Sequence, residues 1–357
     1  MGDIRFVWWN LQNFFDTDDD PISKDFEYTA AEGWTEEVFT AKKANLAAAL
    51  NATHNGAGPE LLAVCEIEGD DLLAELLTAI GNPHLKVVKD PSGTSDLRGI
   101  DVAMAYDNRK LKVVDKTSHL LHLRYATRDL FEVTFQVKPD GPEFVVIAGH
   151  WPSRWRGRYR TEPLRVAVAE HVAFLIRDHV RFSAEEYQQL RQADDLAAVR
   201  EKWETPVMVV GDLNDEPSDR SIVDHLMAPS EIDRVKGETN DIDGFESETA
   251  DYRGDTTFVF NATWKFLYPE NTGTYFISSS RQGGEFANRY QLLDQIIVSR
   301  GFLTGEHGIS LDPESVAIFD DEIVATKKSK RPRPFTKKTK KGTSDHLPLS
   351  ALLKYAE

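Results

Sequence analysis

Residues 207–217, Val207-Met208-Val209-Val210-Gly211-Asp212-Leu213-Asn214-Asp215-Glu216-Pro217, set four apolar residues in front of Gly-Asp-Leu-Asn and a proline. A run without polar alternation reads as a strand buried on both faces, and the polar residues behind it mark its C-terminal tip. The same pattern recurs in both directions along the chain. Trp8-Trp9 runs into Asn10, Val64-Cys65 into Glu66, and Ile147-Ala148-Gly149 into His150. Two later strands carry such residues at their starts: Asp294 precedes 295–298, and Asp345-His346 precedes 347–353. Antiparallel placement of these two brings every polar tip to one rim. Rigid strands hold side chains there, and loops leave room for a substrate.

Strands are predicted over 4–9, 61–65, 101–106, 131–137, 144–148, 207–210, 295–298 and 347–353, with 131–137 and 144–148 forming a hairpin. Helical spacing fills the intervals. Residues 36–50 put Phe39, Lys43, Leu46 and Leu50 on one stripe, 70–80 follow acidic residues, and 162–182 place Pro163 at the first turn. Ser183 and Glu186 have capping-box spacing and open a helical surface insertion near 183–203. The chain shows no internal repeat and no linker rich in Gly, Ser and Pro. One domain over 1–357, with mixed sheets covered by helices, is the economical expectation.

The chain has 357 residues, a net charge of −17 and one cysteine, Cys65, which excludes an internal disulfide and a cysteine-based zinc site. No apolar run approaches the ~18 residues of a membrane span, and no leader pattern precedes Ile4, so a cytoplasmic protein without membrane contact is expected. Bulk acidity argues against a general nucleic-acid coat unless positive charge is gathered locally. It is gathered. Residues 327–341, KKSKRPRPFTKKTKK, hold nine cations and no acid, and 154–165 hold five arginines against Glu162, interleaved with Trp155 and Tyr159. One segment leads into Asp345-His346 and the other follows His150. Arg154, Arg156, Arg160, Lys337 and Lys338 are therefore candidate phosphate contacts, and nucleic acid is the expected polyanionic substrate.

The rim collects carboxylates, carboxamides and two imidazoles. Hard oxygen donors without thiolate favour Mg²⁺ or Mn²⁺, and such ions suit phosphoester hydrolysis by neutralising charge on the phosphorus oxygens. An imidazole beside a carboxylate is the usual arrangement of a general acid or base.

In order, WWNLQNFFD (Asn10), LLAVCEIEG (Glu66), VVIAGHWPSR (His150), VVGDLNDEP (Asp212, Asn214), LLDQIIVS (Asp294) and TSDHLPL (Asp345, His346) resemble the signature blocks of the endonuclease/exonuclease/phosphatase superfamily. The resemblance spans Ile4 to Leu353 and is to the deoxyribonuclease I-like type. It implies a four-layered αββα sandwich of two mixed β-sheets flanked by helices. It also implies Glu66 as the principal Mg²⁺ ligand, assisted by Asn10 and Asp345. Asp212 and Asn214 are then the pair that activates water and holds the phosphate, Asp294 and His346 an Asp-His pair on the scissile phosphate, and His150 the second histidine facing it. The deoxyribonuclease I type pairs that second histidine with a glutamate; here the segment 98–106 offers Asp101, or an indirect role for Arg98. A histidine at 150 sides with the deoxyribonuclease, sphingomyelinase and polyphosphate-phosphatase branches rather than with the AP endonucleases.

Taken singly, each residue has a plainer reading. Asn10 suits an Asx turn, the 212–217 segment a capping loop, and Asp294 a turn. The histidine pairs His119 with His122 and His171 with His179 are assigned no function. Cys65, Trp8, Trp9 and Trp264 are assigned to the core. The leading expectation is a metal-dependent phosphodiesterase acting on nucleic acid, with no protein partner implied. The alternatives are a phosphatase or phospholipase-like diesterase acting on a small or lipid phosphate, and a catalytically silent binding module.

Overall fold

The computed structural model describes residues 2–18, 26–90, 99–123, 127–236, 257–278 and 288–356. Strand alternation organises its layers. In β1 (Gly2–Phe14), Phe6 and Trp8 face one apolar cluster, while Val7 and Trp9 face another. The first cluster lies between two sheets. Trp8 meets there Cys65 of β2 (Leu61–Ile67), Met104 of β4 (Asp101–Asp107), Val146 of β7 (Glu143–His150), Val210 of β8 (Val207–Asp212) and Ile296 of β12 (Asp294–Val298). The second cluster joins Val7, Trp9 and Val64 to helices α1 (Glu36–Gly56) and α2 (Gly69–Ile80). A third joins Ile147, Val209 and Ile297 to helix α3 (Arg158–Val180). The order is helices, sheet, sheet, helices: the expected αββα sandwich.

The first sheet is ordered β13-β15-β1-β2-β4-β3, with β3 at Leu85–Val88, β13 at Ile309–Leu311 and β15 at Leu349–Tyr355; β14 (Ala317–Ile318) also pairs with β15. The second is ordered β5-β6-β7-β8-β12-β9, with β5 at Leu111–His119, β6 at Leu130–Val137 and β9 at Phe260–Asn261. A separate hairpin pairs β10 (Tyr275–Ile277) with β11 (Arg289–Gln291). β1 runs parallel to β2 and antiparallel to β15, while β7 runs parallel to β8 and antiparallel pairing joins β8 to β12. The tips of β1, β2, β7 and β8 and the starts of β12 and β15 therefore share one rim.

Several expectations need correction. Lys43 is not on the buried stripe of α1: Lys42 is the 1% exposed residue, and Lys43 reaches Glu75 (2.6 Å) across the surface. Helix α3 starts at Arg158, so Pro163 sits inside it, in the second turn. β1 continues past Trp9 through Gln12 and Asn13, both at positive φ. β5 was not predicted because it is an edge strand with few buried side chains and lacks an apolar run. Trp264 is half-buried in a 3₁₀ turn, its indole donating to Tyr268 Oη (3.1 Å), rather than in the core. The insertion forms α4 (Ala184–Gln192), opened by both halves of the Ser183–Glu186 capping box, and α5 (Leu196–Trp203). No helix among the described residues is long and apolar enough to cross a membrane.

Candidate active site

The local backbone explains how each tip side chain is aimed. Gly149 and Gly211 are register partners, and a Cβ on Gly211 would lie 2.3 Å from the Gly149 carbonyl oxygen, so glycine is what lets β7 and β8 deliver the next residues side by side. Those residues are His150 and Asp212, which are paired, and Asp212 is also paired with Asp294. One row across three strands thus presents an imidazole and two carboxylates. Glu66 sits where the β2–β4 register shifts, at φ 57°, a bulge that turns its side chain to the rim. Its Oε2 accepts the Asn13 N–H (2.9 Å), and Asn10 Oδ1 accepts the Gln12 N–H (2.9 Å), so the left-handed end of β1 orients both residues.

His346 Nδ1 lies 2.7 Å from Asp294 Oδ2, and Asp294 Oδ1 accepts the Trp8 indole N–H (2.8 Å). The imidazole's other nitrogen, Nε2, is 3.7 Å from Asp212 Oδ2. Burial disfavours its charge, yet Asp294, Asp212 and Asp345 together hold the His346 pKa well above the usual imidazole value. Asp212 accepts from Asn10 Nδ2 (3.1 Å) and from the Asn214 N–H (3.0 Å), and Asn214 Nδ2 donates to the Trp151 carbonyl (3.1 Å). Burial first, then Asp294 and Glu66, push Asp212 up to about 7 against the opposing pull of His346. Burial and Glu66 likewise raise Asp345. His150 Nε2 faces Asp212 at 3.6 Å and Glu66 at 3.8 Å.

These residues floor a cleft of about 810 Å³ whose lining includes Glu66, His150, Asp212, Asn214, Asp345 and His346. Asp101 is not among the described residues that line it: its Oδ1 accepts the Val102 N–H (2.8 Å), and among the described residues the carboxylates within 4.0 Å of His150 are Glu66 and Asp212. Arg98 lies outside the described residues, as does most of the acidic stretch 233–255. Arg154, Arg156 and Arg160 line the cleft. Arg154 is also a clamp, bonded to the Asn214 carbonyl, Asp215 (2.9 Å) and Asp219. Lys337 and Lys338 do not line it, and Lys337 Nζ donates to the Glu27 carbonyl instead.

Three contributors escaped the sequence reading. Trp8 was read as core, and no sequence signal marks its cross-sheet bond. Tyr275 lies over His346 with ring centroids 4.9 Å apart and lines the cleft; burial and Asp345 push its hydroxyl up to about 12. Lys42 is buried beside Trp34 (5.9 Å) and Phe335 (5.4 Å), donates to the Gln12 carbonyl, and is lowered by burial to about 7 against the charges of Asp345 and Glu66. A lysine at a buried helical position, paired by periodicity with Phe39 and Leu46, was the available signal.

The donor set fits a divalent cation. Asp212, Asp294 and His346 present ligand atoms within 4.8 Å of one another, and Glu66, Asp212 and Asp345 bring three carboxylates to the same cleft. A hard dication suits such a set of oxygen donors.

A two-sheet sandwich with this rim of buried carboxylates and imidazoles defines a phosphoesterase class of fold. The chain belongs to the endonuclease/exonuclease/phosphatase family, whose model matches residues 5–354. Among solved structures, an endonuclease/exonuclease/phosphatase family protein from Bacteroides thetaiotaomicron is 14% identical with a TM-score of 0.55, covering 100% of this chain and 99% of that one. A mannosyl-6-phosphatase from the same organism is 14% identical with a TM-score of 0.56, covering 99% and 100%. Truncated TDP2 from Caenorhabditis elegans is 12% identical with a TM-score of 0.52, covering 99% and 98%. At these identities the likeness is one of fold. No curated protein matches the chain.

Proposed function

We propose that the protein hydrolyses phosphodiester bonds of nucleic acid with the help of Mg²⁺ or Mn²⁺. The observation that carries hydrolysis is the Asp294–His346–Asp212 line at the floor of the cleft, next to Glu66 and Asp345. The observation that favours nucleic acid is the arginine wall, with Arg156 and Arg160 exposed at the mouth. Guanidinium groups suit phosphate oxygens through paired N–H donors.

Glu66 and Asp345, assisted by Asn10, would hold the cation, which supplies neutralisation of charge on the phosphate oxygens. Asp212, held by Asn10 and the Asn214 N–H, accepts the proton of the attacking water. Its raised pKa keeps it a competent base near neutrality. His346, charged under the influence of Asp294, directs an N–H at the phosphate, and Asn214 helps hold that group. His150 is the second donor, across the cleft floor from Glu66.

Incubation of plasmid DNA and RNA with the protein across a metal series tests this reading. Cleavage that needs the metal and drops by orders of magnitude in Asp212→Asn and His346→Ala is expected. Absence of metal-dependent cleavage of either polymer by folded protein removes the nuclease reading. The second reading is a phosphatase or diesterase acting on a small phosphate, favoured by the partial pairing of the basic run with acids: Lys327 meets Glu322 (3.4 Å), Lys330 meets Asp320 (3.3 Å), and Lys340 pairs with Glu37. Hydrolysis of a small phosphoester alone supports it.

A further inference from the structure

Large aromatic side chains are normally covered, yet Trp155 is 73% exposed. It lines the cleft together with Arg156 and Arg160. Its backbone is anchored: the Trp155 N–H donates to Ser153 Oγ (3.2 Å), and the adjacent Arg154 grips Asn214 and Asp215 in the loop that follows the Asp212 strand. That loop is itself tied down. Asp215 pairs with the fully buried Arg165 (2.7 Å) and accepts the Ser221 hydroxyl (2.6 Å), and its carbonyl accepts from Gln295 (2.6 Å). The indole is therefore carried on a rigid base beside the reacting residues while most of its surface meets water. Such a platform gains most when a flat ring covers it.

The charge around it selects the ring and the strand. The basic run 327–341 spends much of its charge internally: Lys327, Lys330 and Lys340 on acids, Arg333 on the Glu322 carbonyl (2.6 Å), and Arg331 over the Phe276 ring (3.8 Å). Among the described residues, the arginines that line the cleft are Arg128, Arg154, Arg156 and Arg160, and Arg154 also holds Asp215 and Asp219. This compact footprint suits a single phosphodiester strand. A duplex presents two backbones to an otherwise acidic protein, and its base faces are covered by stacking.

We infer that Trp155 is a stacking platform for an unpaired nucleobase beside the scissile phosphodiester, making it a specificity-determining residue that favours single strands over duplex. The inference rests on the nucleic-acid reading above. It is tested on one oligonucleotide supplied as single strand and as blunt duplex, with bis-p-nitrophenyl phosphate as a measure of catalytic competence. Wild-type protein is expected to prefer the single strand. Trp155→Ala should raise KM for it by about tenfold with kcat largely kept, collapse the single-strand preference, and leave Trp155→Phe close to wild type. Unchanged KM in Trp155→Ala, or a wild-type preference for duplex, overturns this inference and leaves the nuclease reading standing. Hydrolysis of the small diester with neither oligonucleotide cleaved overturns both.

Discussion

His346 illustrates how one side chain acquires its properties from three others. Asp294 holds its Nδ1 at 2.7 Å, Trp8 fixes Asp294 from the opposite sheet, and Asp212 lies 3.7 Å from its far nitrogen. Removing the Asp294 charge while keeping its shape isolates that influence. Asp294→Asn is expected to lower turnover by about 10²–10⁴-fold, the range of a mispositioned acid–base group, with little change in melting temperature. The pH profile carries the sign: Asp294 raises the His346 pKa, so the variant loses the charged imidazole at lower pH and its alkaline limb moves down. An unchanged profile would separate the pair from catalysis. Much of this was legible in the sequence, because Asp294 and His346 sit at strand starts. Trp8 was not legible as a partner, since a buried tryptophan in a strand looks the same whether or not its N–H finds a carboxylate.

At the scale of elements, the second sheet is tied to its covering helix by polar contacts as well as apolar ones. Glu132 of β6 lies 3.1 Å from His119 Nε2 at the end of β5 and 2.9 Å from His179 Nε2 in α3. Burial alone would raise the Glu132 pKa, but the two imidazoles override it and hold it down, at about 2 against an ordinary 4.5. A carboxylate depressed on folding stabilises the protein above its unfolded value and loses that contribution as pH falls through the folded one. Glu132→Gln should therefore melt below wild type near neutral pH, and the gap should close between pH 4.5 and 2. A gap that is constant across that range, in thermal melts monitored by circular dichroism, would rule the pairing out as the source. His119 and His179 were assigned no role from sequence. They stand 60 residues apart, and only the packing of α3 on β5 and β6 brings them to one carboxylate.

Across the whole molecule, the site exists because two sheets meet. Glu66, Asn10 and Asp345 come from the first sheet and its edges, while His150, Asp212 and Asp294 come from the second. A cation held between them would bind only the folded chain and stabilise the fold by about 2.7 kcal/mol at a hundredfold excess over Kd. Titration with Mg²⁺ or Mn²⁺ is expected to raise the melting temperature, and Glu66→Gln to remove most of the rise. An equal rise in that variant would take Glu66 out of the ligand set. The sequence by itself determined the strand tips and the ordered blocks that mark the family, and the αββα layering followed from the resemblance those blocks carry. The tips and blocks rest on local signals: apolar runs, the polar residues that end them, and their order along the chain. The tertiary structure alone decided which cations face the cleft and which are neutralised elsewhere, that Lys42 rather than Lys43 is buried, and that Trp155 stands exposed at the mouth. Charge pairing and exposure depend on what lies across space, and residues as distant along the chain as Lys340 and Glu37 leave no trace of that proximity in their spacing.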